Sequence, residues 1–537
     1  MESTIAAASR RWGRLPWLAG LLAMLAAACG PTGSEPAGRG ASPAQPEGEW
    51  FRSPGGRTYH VDSVGGDDGR DGLSPQTAWR TLDRANRTVF APGDRLLFKA
   101  GARFEGRLVL HGSGCRGRPI TVGRYGSGPQ PLIAAEGRHA EAVWLHNVAH
   151  WDLRDLEITN TGATPAPHRT GVLVSLEDFG TAHHIVLQRL YVHDVNSSTR
   201  KEEGGAGIRW ANGGRRTKSR FDGLRIEDCH LVRTDRNGIV GWSEHWRRND
   251  WFPSLNVVIR GNLLEDIGGD GIVPIGCDGA LVERNVLRGG RMRAPDYAAG
   301  IWPWSCDNTV IQFNEVSGMR GTLDGQGFDA DWNCRNTIIQ YNYSHDNEGG
   351  FLLICNDGNV GAPYSIGNIG TVVRYNISQN DGTRTFQISA VEHTAIYNNT
   401  IYVGPDREVE AVWFHSWGGW ARDTRFSNNI FFAKGAMRWE FGESQGNVFE
   451  ANAFFGRHDG RPADPRAITA DPQLEQPGSG GEGLDSLRGY WLRPGSPCLG
   501  AGVPIPHNGG RDFWGNPVPA AGPADIGAHQ SALETDS

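Results

Sequence analysis

One pattern limits what this chain can become. NVVIRGNLLEDI begins at 256, TVIQFNEVSGM at 309, TIIQYNYSHDN at 337, TVVRYNISQND at 371, TAIYNNTIYV at 394 and TRFSNNIFFA at 424. Each alternates apolar and polar residues, meets an Asn, and alternates again. The Asn recurs at 262, 285, 314, 342, 376, 399, 429 and 452, in steps of 23, 29, 28, 34, 23, 30 and 23. A shortest step with longer variants describes one coil with loops inserted at fixed corners, which is a solenoid. Period-two alternation and β-branched residues make it a β-solenoid. WDLRDLEITN at 151, HIVLQRLYVHD at 184 and GLRIEDCHLVR at 223 fit the same frame. Stacked Asn residues pair their amides up the coil, so their role is structural.

A solenoid needs its ends covered. SPQTAWRTLDRANRTV, from 74, has a helix-start pattern and an amphipathic run, which predicts an N-terminal capping helix. The coil pattern fades after about 460. The expected organisation is a cap and first coils over 51–135, a parallel β-helix over 136–459 and an irregular C-terminal cap over 460–537. Ahead of these, SRRWGRLPWLAGLLAMLAAAC is basic, then apolar, then small-residue-rich. That predicts a signal peptide over 1–28. LAAAC has the form of a bacterial lipobox, which predicts a lipid on Cys29, and 29–50 reads as a flexible tether. The chain is thus expected to be exported, lipid-anchored to the cell envelope or secreted, and monomeric. A formal charge of -7 with no basic stripe excludes nucleic acid as a partner.

VDSVGGDDGRDGLSPQTAWRTL, PGDRLLFKAGARFEG, the Asn coils, LRPGSPCLGAG and ADIGAHQ together resemble bacterial exported proteins of the pectate-lyase-like β-helix superfamily. The resemblance spans about residues 57 to 530. It implies a right-handed helix and a carbohydrate-active enzyme, a glycoside hydrolase or a polysaccharide lyase. The WIDH run of pectate lyases and the NTD, GHG and RIK runs of polygalacturonases are absent; only GGDGI at 268 echoes the last group. No catalytic residue therefore transfers by motif.

The second half of each coil begins Gly-apolar: GIRWA at 207, GIVGW at 238, GIVPI at 271, GIWPW at 300, GFDAD at 327 and GFLLI at 350. If the apolar residue, Phe351 included, points inward, the next residue and the one two beyond it point out. Trp302, Trp304, Asp329 and Asp331 then share one outer face, with Trp242 and Arg209 from earlier coils. Asp329 and Asp331 lie about 6.5 Å apart at Cα, close enough to divide into an acid and a base. The tryptophans would offer flat faces to sugar C–H groups. Asp324, Asp270, Glu348 and Asp346 fall in corners, where Asp is ordinary turn chemistry. Asp324 or Glu348 is an alternative catalytic carboxylate, and His345 a minority candidate for proton transfer. His415 can reach the same face from a later coil.

Three functions fit. A hydrolase would use Asp329 and Asp331 and need no cofactor. A lyase would bind Ca²⁺ through the same aspartates, with Arg209, Arg291 or Arg293 on a uronate. Of the lysines, Lys201 and Lys218 lie in loops near the face, and that scarcity favours the hydrolase. A non-catalytic glycan-binding protein would use the tryptophans alone. Cys277, Cys306, Cys334 and Cys355 are expected to stack inward as a ladder of buried thiols.

Overall fold

The computed structural model describes residues 50–356 and 361–531. The signal peptide, Cys29 and the tether up to residue 49 lie outside the described residues. The chain is a right-handed parallel β-helix. Its first sheet runs from Thr58–Val61 to Val448–Glu450, and its second from Arg103–Glu105 to Ala453–Asp459. The third begins at Phe51–Arg52 and passes through Ala206–Gly213, Asn237–Ser243 and Ile272–Val273. Single bridges carry it on, from Ile272 to Ile301 and from Ile301 to Phe328. It then continues through Gln326–Ala330, Gly350–Cys355, Arg384–Ser389 and Glu408–Phe414. Pro303 interrupts regular pairing in the GIWPW coil, as a residue without an N–H must.

The Asn row lies in the corner between the first and second sheets. Asn314 donates from its backbone N and Nδ2 to Asn342 Oδ1, at 2.9 and 3.0 Å, and Asn342 does the same to Asn376. The pattern repeats to Asn452, whose amide ends on Asp464 Oδ2 at 2.9 Å. All eight are buried, and each satisfies backbone and side-chain groups that the corner would otherwise orphan.

The Gly column of the third sheet has a steric cause. A Cβ on Gly271 would lie 2.6 Å from the carbonyl oxygen of Gly300, and one on Gly300 2.2 Å from that of Gly327. Those carbonyls accept from Ile272 N and Ile301 N, so the coils cannot part.

The N-terminal helix is shorter than expected, covering only Leu82–Asn86 behind a 3₁₀ turn at Pro75–Thr77. Its Leu82 and Ala85 enter the core, and Asn86 bonds Val109 N. The C-terminal segment closes the Asn row at Asp464 and then turns back along the flank of the second sheet. There Gly480 N meets Gln379 Oε1 at 2.8 Å, Gly483 N meets Glu315 Oε2 at 2.9 Å and Tyr341 OH meets Arg511 O at 3.1 Å. It acts as a strap beside the coils as well as a lid on the last one.

Candidate active site

The site grows from the strand Gln326–Ala330. Phe328 and Ala330 enter the core, so Asp329 faces outward, and Asp331, just past the strand, follows it. Register sets Asp329 between Trp302 and Leu353, with Gln387 and Trp413 further along the row. Asp329 and Asp331 do share one outer face. Loops from earlier and later corners cover part of it, so Asp329 is only 3% exposed while Asp331 and Asp324 remain half-open.

That cover changes the chemistry. Burial, then the charges of Asp331 and Asp324, pushes the Asp329 carboxyl well above the usual carboxylate range, and its Oδ1 has no partner. Burial lifts Asp331 to about 7, against the pull of Trp332 N–H at 2.7 Å and the Cys355 thiol at 3.2 Å. Asp324 rises to about 6, again chiefly by burial, and the cations Lys201, Arg384 and Arg291 restrain the rise. Lys201 itself lies 5.1 Å over the Trp302 ring. Three carboxyls thus act on one another with graded acidity.

Several expected residues lie elsewhere or play another part. Trp302 and Trp304 face outward but are only 6% and 7% exposed, packed with Trp246 and Trp332 under a loop. They wall the site and offer no open platform. Trp242 is half-buried and stacks on Trp304 at 6.1 Å. Asp270, expected as a substrate-binding residue, is buried and holds Trp302 Nε1 at 3.0 Å and fully buried Arg236 at 3.0 Å. Arg209 is four coils from Asp329, roughly 19 Å, beside Glu141 and His168. Glu348 is held by Gly321 N and by Arg320 at 2.8 Å, which draw its pKa below the usual range. His345 is on the second sheet, paired with Glu315 and Asp346, away from the carboxylates. Arg293 pairs with Asp235 and Asp266, and Lys218 with Asp250. His415 does reach the site's face, bonded to Gln387 at 3.0 Å.

The alignment of GFLLI was one residue off. Phe328 pairs with Leu352, not Phe351, because the corner holds an extra glycine, Gly350, at φ 134°. Phe351 still enters the core, as expected, but the slip of one reverses the side chains after it. Cys355 therefore leaves the inward ladder, which Cys277, Cys306 and Cys334 do form, and faces Asp331. All four thiols are free. Reading the register from the core residues Leu352 and Ile354 would have found it.

Asp329, Asp331 and Cys355 place one ligand atom each within 4.8 Å of one another. Two carboxyls and a thiol fit calcium poorly, since that ion takes six to eight oxygens. Arg384, Gln326 and Gln387 also went unread: Arg384 bonds Thr322 O at 2.7 Å, and Gln326 Nε2 bonds Gln387 Oε1 at 2.9 Å. Nothing in their local sequence marks them, because strands far apart in the chain bring them together.

No protein-family profile matches this chain. It is 28% identical to the lacto-N-biosidase of Bifidobacterium longum subsp. longum over 89% of its own length and 36% of the relative's. The chain thus spans about a third of that protein. A shorter stretch, 14% of the chain, is 36% identical to alpha-1,3-galactosidase A of Akkermansia muciniphila, covering 12% of that protein. Among solved structures, the GH136 lacto-N-biosidase of Eubacterium ramulus superposes with a TM-score of 0.60 and 28% identity, over 74% of this chain and 68% of the other. XylC bound to xylose, at 13% identity and a TM-score of 0.50 over 89% and 98%, shares the fold.

Proposed function

We propose that the chain is a glycoside hydrolase acting on an oligosaccharide, with Asp331 as general acid and Asp324 as its ionised partner. One observation carries this reading: two half-open carboxyls, raised to about 7 and about 6, interact with each other and with a third that is buried. Glycosidic cleavage needs a proton delivered to the leaving oxygen and an anion or activated water at the anomeric carbon. Asp331 keeps its proton near neutrality. Asp324 loses its proton first, and the cations around it favour the anion. Asp329, neutral and buried, holds the charge of the site down. The likeness to lacto-N-biosidases from two organisms supports the class and suggests the substrate to try.

The test is release of nitrophenol from a nitrophenyl lacto-N-bioside, followed with pH. The expected profile is a bell with apparent values near 6 and 7, which belong to the coupled carboxyls together. Chelator is expected to leave the rate unchanged. An unsaturated product, or a rate that needs added calcium, would replace this reading with the lyase. The anomer first released, read by NMR, decides whether Asp324 attacks the sugar or activates water. The basic, then apolar, run at the N-terminus supports export of this activity from the cytoplasm. Transfer of the chain from membrane to soluble fraction on Cys29→Ala is the check on the lipid.

A further inference from the structure

The face that carries the carboxylates continues past them. From Asp329 the row runs through Leu353 and Gln387 to Trp413, three strand spacings or roughly 14 Å away. At that point three rings lie nearly parallel. Trp413 stacks on His415 at 4.5 Å and 19°, and His415 faces Trp417 at 6.4 Å and 14°. Trp417 is 43% exposed, unlike the buried tryptophans on the other side of the carboxylates.

Arg384 joins this shelf to the acidic site. Its guanidinium lies 5.4 Å over the Trp413 ring, and its charge acts on Asp324. One of its nitrogens is bound to Thr322 O, but Nε is buried without an acceptor. His415 is kept neutral by burial and by Arg384. The exposed ring of Trp417, backed by His415 and Trp413, suits the apolar C–H face that a pyranose presents. Core packing explains none of this, since Trp417 contributes nothing to the core clusters.

We propose that Trp413, His415, Trp417 and Arg384 form a second saccharide subsite, which holds a unit of the same substrate more than one ring from the bond cleaved. This rests on the glycosidase reading and deepens it: the substrate runs along the helix axis, and its length sets affinity.

The test uses the full chain carrying Asp331→Asn, titrated calorimetrically with lacto-N-biose and with a tetrasaccharide that contains it. The tetrasaccharide is expected to bind roughly threefold to tenfold tighter, the worth of one aromatic stack. Trp417→Ala should erase that gain and Trp417→Phe restore most of it. Trp417 faces solvent, so its truncation leaves the coils intact, and a thermal melt verifies this. Equal affinity for both lengths overturns the shelf, as does a gain that survives both Trp417→Ala and Trp413→Ala. Neither result touches the hydrolase reading. That reading fails separately, if the unaltered chain releases no nitrophenol.

Discussion

Two rows of buried polar side chains run up this helix, and they differ in one respect. In the Asn row every amide finds its partners, from Asn262 to the closing Asp464. On the carboxylate face Asp329 leaves an oxygen without a partner, and no ion pair among the described residues neutralises Asp331 or Asp324. Satisfied polar groups hold a fold together, whereas unsatisfied ones store unfavourable electrostatics for use elsewhere. The contrast predicts opposite mutational signatures. Asn342→Ala removes a group that accepts from Asn314 and donates to Ile311 O and Asn376, leaving buried orphans on both sides. It should cost roughly 3–5 kcal/mol in a denaturant titration. Any loss of activity should then track the unfolded fraction. Asp331→Asn should lower hydrolysis by about 100- to 10,000-fold, the usual worth of a general acid. Its stability should be unchanged, or higher at pH 8, because the native state holds the pKa of that carboxyl above its unfolded value. If Asp331→Asn unfolds the chain, or Asn342→Ala melts like the parent, the contrast is wrong.

The two rows also differ in how far the sequence discloses them. The Asn positions can be read directly because each repeats the same backbone problem at every coil, and the spacing exposes the frame. The Gly-apolar starts gave the face of Asp329 and Asp331 for the same reason. Where the corner gained Gly350, the frame slipped by one and Cys355 turned from core to site. The burial of Trp302 and Trp304 depends on Trp246 and on the loop around Tyr364, dozens of residues away. Periodicity cannot see such cover, because it records which way a side chain points and not what lies above it.

A second prediction sharpens the contrast through pH. On the second sheet, burial opposes the charge of His345, but Asp346 at 3.0 Å and Glu315 at 3.3 Å override it and lift the imidazole to about 9. Glu315 also receives Gly483 of the C-terminal strap. A raised histidine stabilises the native state fully below its unfolded value near 6.5. That contribution is lost as pH climbs through about 9. Melts at pH 6 and pH 10 should therefore differ by about 2–3 kcal/mol more for the parent than for His345→Gln. Activity at pH 6.5 should barely differ between the two once both are folded. Here pH acts on stability, through partnered groups; at the carboxylates it acts on rate.

Cys355 is the one place where the carboxylate face borrows the habit of the Asn row, since its thiol donates to Asp331 Oδ1 at 3.2 Å. That donation lowers the acidity value of Asp331, while burial holds the thiol itself far above the range where it would ionise. Removing the donor in Cys355→Ala leaves Asp331 protonated to a higher pH. The basic limb of the rate profile should move up by a few tenths of a unit, worth less than about 1 kcal/mol. Cys355→Ser keeps a donor and should hold the limb near its parent position. A purely structural cysteine would change the height of both profiles and leave the limbs where they were. The shift in position, small as it is, therefore isolates the side-chain hydrogen bond that tunes the acid, apart from the backbone donor Trp332 N.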